Sequence, residues 1–167
     1  MTRLNREVRI SAPKEKVWQI IADFGGVYVY NPTVPNSYAT SKNNGGEGAT
    51  RHCDLAPFGS VEERILEWRE GDGYTLEIYA SEKTPPFKKA IASLDLVEDG
   101  DGTIVKGTLE YALKFGPMGA LMDATMARSK FDKAWSRLFA GLKHYAETGE
   151  PVGGKTTLNL GEVVAVA

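Results

Sequence analysis

A run of short strand-like segments followed by one long helix-like segment is the feature that most constrains the fold of this chain. Between residues 36 and 114, apolar and polar residues alternate in six segments, and every break between them contains Gly or Pro. The segments cover residues 36–43, 48–55, 60–69, 73–82, 88–98 and 103–114. Connections this short predict antiparallel neighbours, and therefore a six-stranded meander.

The flanking sequence predicts one more strand and three helices. RLNREVRIS, near the N-terminus, alternates well enough to join the meander as a further strand. Pro13 and the apolar spacing before the glycines at 25 and 26 predict a short helix, and a single-turn helix fits the Tyr- and Pro-rich stretch after it. Residues 118–147 predict one long helix, with a stripe of Leu121, Ala124, Arg128, Phe131, Trp135, Leu138, Leu142 and Tyr145.

Length and charge limit the classes of protein to which the chain can belong. Its 167 residues predict one domain, residues 1–148, and a tail, 149–167, that either adds an edge strand or frays. A net charge of −2 predicts neither nucleic acid nor a membrane as a partner. One Cys and two His predict no disulfide, no metal site and no cofactor, and the polar N-terminal segment predicts a cytoplasmic location.

Several local motifs, taken in their order, resemble one known superfamily. They are APKEKVWQIIADFGG, an NP after a tyrosine, GEGATR, VEERI, GDGYTLEI and EDGDGTIVKGTLEY, followed by the amphipathic helix. In this order they resemble the START-like (SRPBCC) superfamily, which includes birch-pollen allergens, abscisic-acid receptors and polyketide cyclase/dehydrase-like proteins. The resemblance implies an α+β helix-grip fold, in which a curved seven-stranded antiparallel sheet wraps around the long C-terminal helix and two short helices follow the first strand. One departure is Gly107, where many bacterial relatives carry tryptophan.

Two charged residues fall on the face of the sheet that should be apolar. Strand alternation puts Arg51 and Glu63 on the same face as Cys53, Leu55 and the apolar residues of the next strand. With a turn through residues 56–60, Cys53 would oppose Glu63, and Arg51 would lie diagonally beside it. A structural ion pair explains the two charges, and so does a water-containing cavity that both of them line. The resemblance implies the cavity, because the residue aligned with Glu63 lines the pocket in abscisic-acid-receptor-like relatives.

The same alternation nominates a set of cavity residues. Small inward residues, such as Ala92 and Gly107, cannot fill the space beneath a helix, and three methionines on the long helix would supply a pliable wall. Phe58 and Phe87, on two loops, would form the mouth. Ordinary core packing is the alternative for each of these residues. The predicted ligand-binding residues are Tyr30, Arg51, Cys53, Leu55, Phe58, Glu63, Leu76, Ile78, Phe87, Ala92, Leu109, Tyr111, Met118, Met122 and Met126.

Three functions remain open at this point. The first is binding of a small hydrophobic ligand, such as a lipid, a polyketide or an isoprenoid, in the cavity. The second is a polyketide cyclase or aromatase reaction with Glu63 as the acid/base, a role that an ion pair with Arg51 would oppose. The third is an interaction module that forms a homodimer through the tail. A Cys53–His52 catalytic pair is not predicted, because neighbouring strand residues point to opposite faces.

Overall fold

A single antiparallel sheet of eight strands organises the molecule. The computed structural model describes residues 1–167, and the strand order across the sheet is β2-β3-β4-β5-β6-β7-β1-β8. The strands are β1 (Thr2–Ile10), β2 (Asn36–Ala39), β3 (Thr50–Asp54), β4 (Ser60–Arg69), β5 (Gly73–Glu82), β6 (Phe87–Asp99), β7 (Gly102–Leu113) and β8 (Val164–Ala165). The six-stranded meander is β2 to β7, and β1 joins it beside β7, as the sequence predicts.

The eighth strand corrects the predicted count of seven. Val164 pairs with Glu7 and Ala165 with Arg6, so the tail covers part of the outer edge of β1 in its own chain. A strand of two residues carries no period that a sequence pattern could reveal. Val152 is also buried, and its N–H donates to the carbonyl of Val29 at 2.9 Å. The tail is therefore attached at two places.

Helical segments cover one face of the sheet. They are α1 (Lys14–Ala22), a 3₁₀ helix (Phe24–Val29), α2 (Gly116–Met122), a π-helical turn (Asp123–Ala127), α3 (Arg128–Thr148) and a 3₁₀ turn (Leu160–Glu162). The segments from Gly116 to Thr148 are contiguous and form the predicted long helix. Arg6 of β1 fixes α3 to the sheet, because its guanidinium pairs with Asp132 and donates to Ser136. None of these helices has the length and the apolar character that crossing a bilayer requires.

The π-helical turn changes which residues of the long helix face the sheet. The N–H of Arg128 donates to the carbonyl of Asp123, a spacing of five residues, and this wider turn shifts the phase relative to a regular α-helix. The predicted stripe is correct from Phe131 onward, but Leu121, Ala124 and Arg128 are exposed. Before the turn, the buried position is Gly119. A constant period of 3.6 residues cannot detect such a change.

The register of the β3–β4 hairpin also differs from the prediction. Cys53 pairs with Val61, and Arg51 pairs directly with Glu63, two residues away from the predicted register. The turn closes earlier because Gly59 adopts a left-handed backbone with a φ of 97°. A shift of two residues keeps every side chain on its predicted face. The bulge predicted after Ile65 is confirmed, since the β4–β5 register shifts between Ile65 and Glu67.

Candidate ligand-binding cavity

A cavity of about 350 Å³ lies between the sheet and α3. Strands β3 to β7 line one side, and the other side is formed by the end of the π-helical turn, the first half of α3 and the segment from Val27 to Val34. Of its 30 lining residues, 20 are hydrophobic, which makes the interior largely apolar. Pockets that hold small organic molecules have volumes in this range and a similar lining, with a few polar groups.

Eleven of the fifteen predicted site residues line this cavity. They are Tyr30, Arg51, Cys53, Leu55, Phe58, Glu63, Leu76, Ile78, Phe87, Ala92 and Leu109. Strand alternation brings most of them together, because they occupy inward positions of β3 to β7. Phe58 is exposed, with 68% of its surface accessible, and lies with Lys83, Thr84 and Pro85 among the loop residues that border the cavity. Phe87, predicted on a loop, is the first residue of β6.

The predicted methionine wall is wrong. Met118 and Met126 are 70% and 60% exposed, Met122 is half-buried, and none of the three lines the cavity. The π-helical turn shifts the phase of the helix, so these methionines face a different direction from the one that a regular α-helix would give them. The helical wall comes instead from residues further along the chain, namely Ala127, Lys130, Phe131, Ala134, Trp135 and Leu138. Of these, only the hydrophobic stripe from Phe131 onward was detectable in the sequence.

Tyr111 is buried but does not line the cavity. Its ring packs against Phe87 and Phe131, with centroids 6.2 and 4.8 Å away, and its hydroxyl donates to Asp123 Oδ1 at 2.5 Å. Burial, followed by the neighbouring Asp123, raises the pKa of Tyr111. Thr2 Oγ1 donates to the other oxygen of Asp123 at 2.5 Å. Because Thr2 pairs with Tyr111 across β1 and β7, this cluster attaches one end of these two strands to the π-helical turn. It supports the cavity wall through the contacts of Tyr111 with Phe87 and Phe131.

Arg51 and Glu63 form the polar part of the cavity wall. The Nε and Nη2 atoms of Arg51 lie 2.5 Å from Glu63 Oε2, and Nη1 donates to the carbonyl of Phe24 at 2.7 Å. The guanidinium also lies over the Phe24 ring, 4.0 Å from its centroid. Burial is the largest effect on Arg51 and opposes its charge, but the combined attraction of Glu63 and the neighbouring acidic groups outweighs burial, and the pKa of Arg51 is raised. The two charges therefore form a buried ion pair, and both residues of this pair also line the cavity.

The neighbouring polar groups do not form a nucleophilic centre. Cys53 Sγ lies 3.9 Å from Glu63 Oε2, and burial raises the pKa of Cys53 to about 12, so the thiol stays protonated near neutral pH. His52 lies on the other face of β3, where it contacts Glu62 and Asp54 and stacks on Tyr38. No three His, Cys, Asp or Glu side chains converge to form a metal site.

Gly107 does not enlarge the cavity, although its lack of a side chain suggested that it would. A Cβ atom at Gly107 would lie 2.4 Å from Phe139 Cζ and 3.0 Å from Trp135 Cζ2, so two aromatic rings of α3 already fill the space above it. Among the small inward residues, Ala92 lines the cavity. Ala90 is buried away from the cavity, which shows that a small residue can mark close packing as easily as a void.

Comparison with protein families identifies the group to which the chain belongs. A family model described as polyketide cyclase/dehydrase and lipid transport matches residues 1–147. The chain belongs to this family. The match confirms the predicted START-like resemblance and covers every element that lines the cavity. Comparison with curated proteins gives no significant match.

Solved structures share the fold at low sequence identity. TTHA0849 from Thermus thermophilus is 19% identical, with a TM-score of 0.72 over 87% of this chain and 97% of that one. XoxI from Bacillus cereus is 18% identical, with a TM-score of 0.68 over 86% and 94%. Ara h 8.0201, of the birch-pollen allergen type, is 14% identical, with a TM-score of 0.70 over 87% and 97%. These likenesses confirm the α+β helix-grip fold.

Proposed function

We propose that this protein binds a small, mainly apolar molecule in the cavity between the sheet and α3. The observation that carries the proposal is the cavity itself, with about 350 Å³ of space and 20 hydrophobic residues among the 30 that line it. A packed protein interior leaves few voids larger than a water molecule, so a space of this size fits a ligand better than a packing defect. The family description, which includes lipid transport, is consistent with such a ligand.

The polar groups of the wall would orient the ligand rather than hold it by charge. Burying the apolar surface of a ligand supplies about 25 cal/mol per Å² before the cost of association is subtracted. The carboxylate of Glu63 and the hydroxyl groups of the buried Tyr30 and Tyr74 lie on one wall of the cavity, where they offer hydrogen bonds to a polar end of the molecule. A hydrophobic molecule with one polar end fits this distribution.

Titration with a neutral fluorescent probe, N-phenyl-1-naphthylamine, tests the proposal. We expect saturable 1:1 binding, and we expect Ala92→Phe, which fills the cavity from β6, to weaken binding by about tenfold or more. Ile91→Phe is the matched control, because this neighbouring residue is on the other face of the same strand and does not line the cavity. Circular dichroism of both variants checks that they fold. Absence of binding, or equal binding by the two variants, would reject the proposal.

A cyclase or dehydrase reaction is the second candidate, and Glu63 is the observation that favours it. This carboxylate lines the cavity and could accept a proton from an acidic carbon of a bound polyketide-like chain. Two nitrogen atoms of Arg51 already contact Oε2 of this carboxylate, and the protonated thiol of Cys53 supplies no nucleophile. If Glu63→Gln abolishes turnover of such a substrate but leaves its binding intact, the reaction is established. If turnover survives the substitution, Glu63 is excluded from the reaction.

A further inference from the structure

The most exposed hydrophobic side chains of this protein lie at one end of the sheet. Six of them are between 60% and 76% exposed, and no other large hydrophobic residue exceeds 52%. They precede β1, lie in the turn between β3 and β4, or follow the end of β7, and these strand ends are neighbours in the antiparallel sheet. Single exposed hydrophobic residues are ordinary, but a cluster of them marks a surface that meets a partner. The six residues are Met1, Phe58, Phe115, Met118, Leu121 and Met126.

The loops at this end also border the cavity. Phe58 lies in one of them, and the next is the segment from Lys83 to Pro85 between β5 and β6. The N–H of Lys114 donates to the carbonyl of Pro86 at 2.9 Å, so the segment that leads into α2 lies beside the same loop. The exposed hydrophobic side chains therefore lie next to the loops through which a ligand would enter.

Phe115 is held in a backbone conformation that is unfavourable for a bulky residue. Its φ is 73°, and Lys83, with a φ of 52°, is the one other residue besides glycine in the left-handed region. The Phe115 side chain is 64% exposed, so burial within the chain does little to offset this cost. Strain of this kind is typical of segments that serve a function, and both strained residues lie at this end of the sheet.

Positive charge surrounds these hydrophobic side chains. Residues 82–89 and 114–130 contain six cationic side chains, all exposed, and two acidic ones, of which Asp123 already accepts hydrogen bonds from Thr2 and Tyr111. The turns at the opposite end of the sheet, within residues 67–72 and 95–101, contain seven acidic side chains and one cationic side chain. The net charge of −2, which predicts no membrane as a partner, therefore averages two ends of unlike charge. The six cations are Lys83, Lys88, Lys89, Lys114, Arg128 and Lys130.

We propose that this end of the protein docks on the surface of a bilayer that contains anionic lipids. Phe115, Met118 and Leu121 enter the interfacial region of the bilayer, and the surrounding cations attract its headgroups. A bilayer suits hydrophobic side chains that project from three separate segments, because it meets all of them without shape complementarity. Docking brings the cavity to the phase in which an apolar molecule dissolves. This last consequence rests on the proposed binding function, whereas the docking itself does not.

Sedimentation of the full chain with lipid vesicles tests the proposal. We expect binding to vesicles of phosphatidylcholine with about 30% phosphatidylglycerol, and binding at least about tenfold weaker to phosphatidylcholine alone. Binding should also weaken between about 0.1 M and about 0.5 M salt, because salt screens the attraction.

Two pairs of double variants separate the contributions of charge and of hydrophobic contact. Lys114→Gln with Arg128→Gln should lower partition onto the anionic vesicles by about tenfold or more. The control, Lys42→Gln with Lys155→Gln, removes the same charge from exposed positions elsewhere and should change partition by less than about threefold.

The hydrophobic pair is Met118→Ser with Leu121→Ser, which should lower partition by about fivefold or more at unchanged charge. Leu160→Ser with Val164→Ser, in the tail, is its control and should leave partition unchanged. All of these positions are exposed, and circular dichroism checks that the variants fold.

The outcomes separate this inference from the proposed function. Weakened partition in both variants near the cavity, with both controls unaffected, would support docking. Absence of binding to the anionic vesicles would overturn it, and an acidic protein surface would then be the partner that the cations fit. An effect of the charge variant without one of the hydrophobic variant would overturn it too. A protein that binds vesicles but not the fluorescent probe would keep the docking and reject the binding function.

Discussion

Arg51 lies directly opposite Glu63 across β3 and β4, and two of its nitrogen atoms reach the same carboxylate oxygen at 2.5 Å. The side chains are 5% and 12% exposed, so the pair is nearly buried although it borders the cavity. Removing one member of such a pair leaves an uncompensated charge, whereas replacing both members by apolar residues does not.

We therefore expect Glu63→Gln to lower the free energy of unfolding by about 3 kcal/mol, and Arg51→Met with Glu63→Leu to lower it by less than the single change. Urea unfolding measures both. The control is the exposed pair Arg64–Glu77, whose side chains are 46% and 33% exposed and whose closest atoms are 3.4 Å apart. Glu77→Gln should cost less than about 1 kcal/mol. Equal costs at Glu63 and Glu77 would mean that the inner pair is well hydrated.

Substitution of Gly141 by alanine is expected to lower stability, although the same substitution usually raises it in a helix. Replacing an exposed helical glycine by alanine stabilises a protein by about 1 kcal/mol. A Cβ atom at Gly141 would lie 2.0 Å from the carbonyl oxygen of Tyr30, so we expect Gly141→Ala to destabilise the fold by about 1–3 kcal/mol. Ser129→Ala, at an exposed position of α3, should change stability by less than about 0.5 kcal/mol. A stabilised Gly141→Ala variant would show that the helix can move away from Tyr30.

The contribution of His52 to the free energy of unfolding should depend on pH. Hydrogen bonds to Glu62 and then to Asp54 raise the pKa of His52 in the folded protein. Its contribution is fully present below the unfolded pKa, roughly 6.5, and is lost as the pH rises through the higher folded value. We expect His52→Gln to destabilise the protein more at about pH 5 than at about pH 9.

Unfolding midpoints at the two pH values measure the effect of His52. In a Glu62→Gln background, which removes the first acceptor, the difference between the two pH values should shrink. An equal loss of stability at both pH values would mean that His52 acts through its stacking on Tyr38 and not through its charge.

Truncation after Lys155 tests the role of the tail. It removes β8 but keeps Val152, so it exposes the backbone of β1 that Val164, Ala165 and Val166 cover. Because an unpaired strand edge can pair with another chain, we expect self-association to increase, which sedimentation measures against the full-length chain. A full-length dimer that the truncation dissociates would instead support the tail as an interaction element.

The sequence predicted the faces of the strands better than their partners. Alternation placed Arg51, Cys53 and Glu63 on one face correctly, because the face depends only on parity. The register depended on where the turn closes at Gly59, which parity cannot determine. The prediction for the long helix was wrong for a similar reason. One π-helical turn at Asp123 moves the methionines away from the cavity, and no feature of the composition reveals this turn.

Long-range contacts explain the other differences. No pattern in the sequence connects Tyr111 with Asp123, and the helix stripe that contains Trp135 does not reveal that its N–H is unpaired. Both features depend on tertiary placement and leave no local pattern. The division into residues 1–148 and a tail, the cytoplasmic location and the ligand remain predictions.

Contacts between a bound ligand and the methyl groups of the protein test the central claim most directly. With N-phenyl-1-naphthylamine bound, nuclear Overhauser effects should connect its ring protons to the methyl groups of Leu76, Ala92 and Leu109, which line the cavity. The exposed Met118 and Met126 should show none. Contacts confined to these two methionines would place the ligand on the outer surface of the helix and contradict the account.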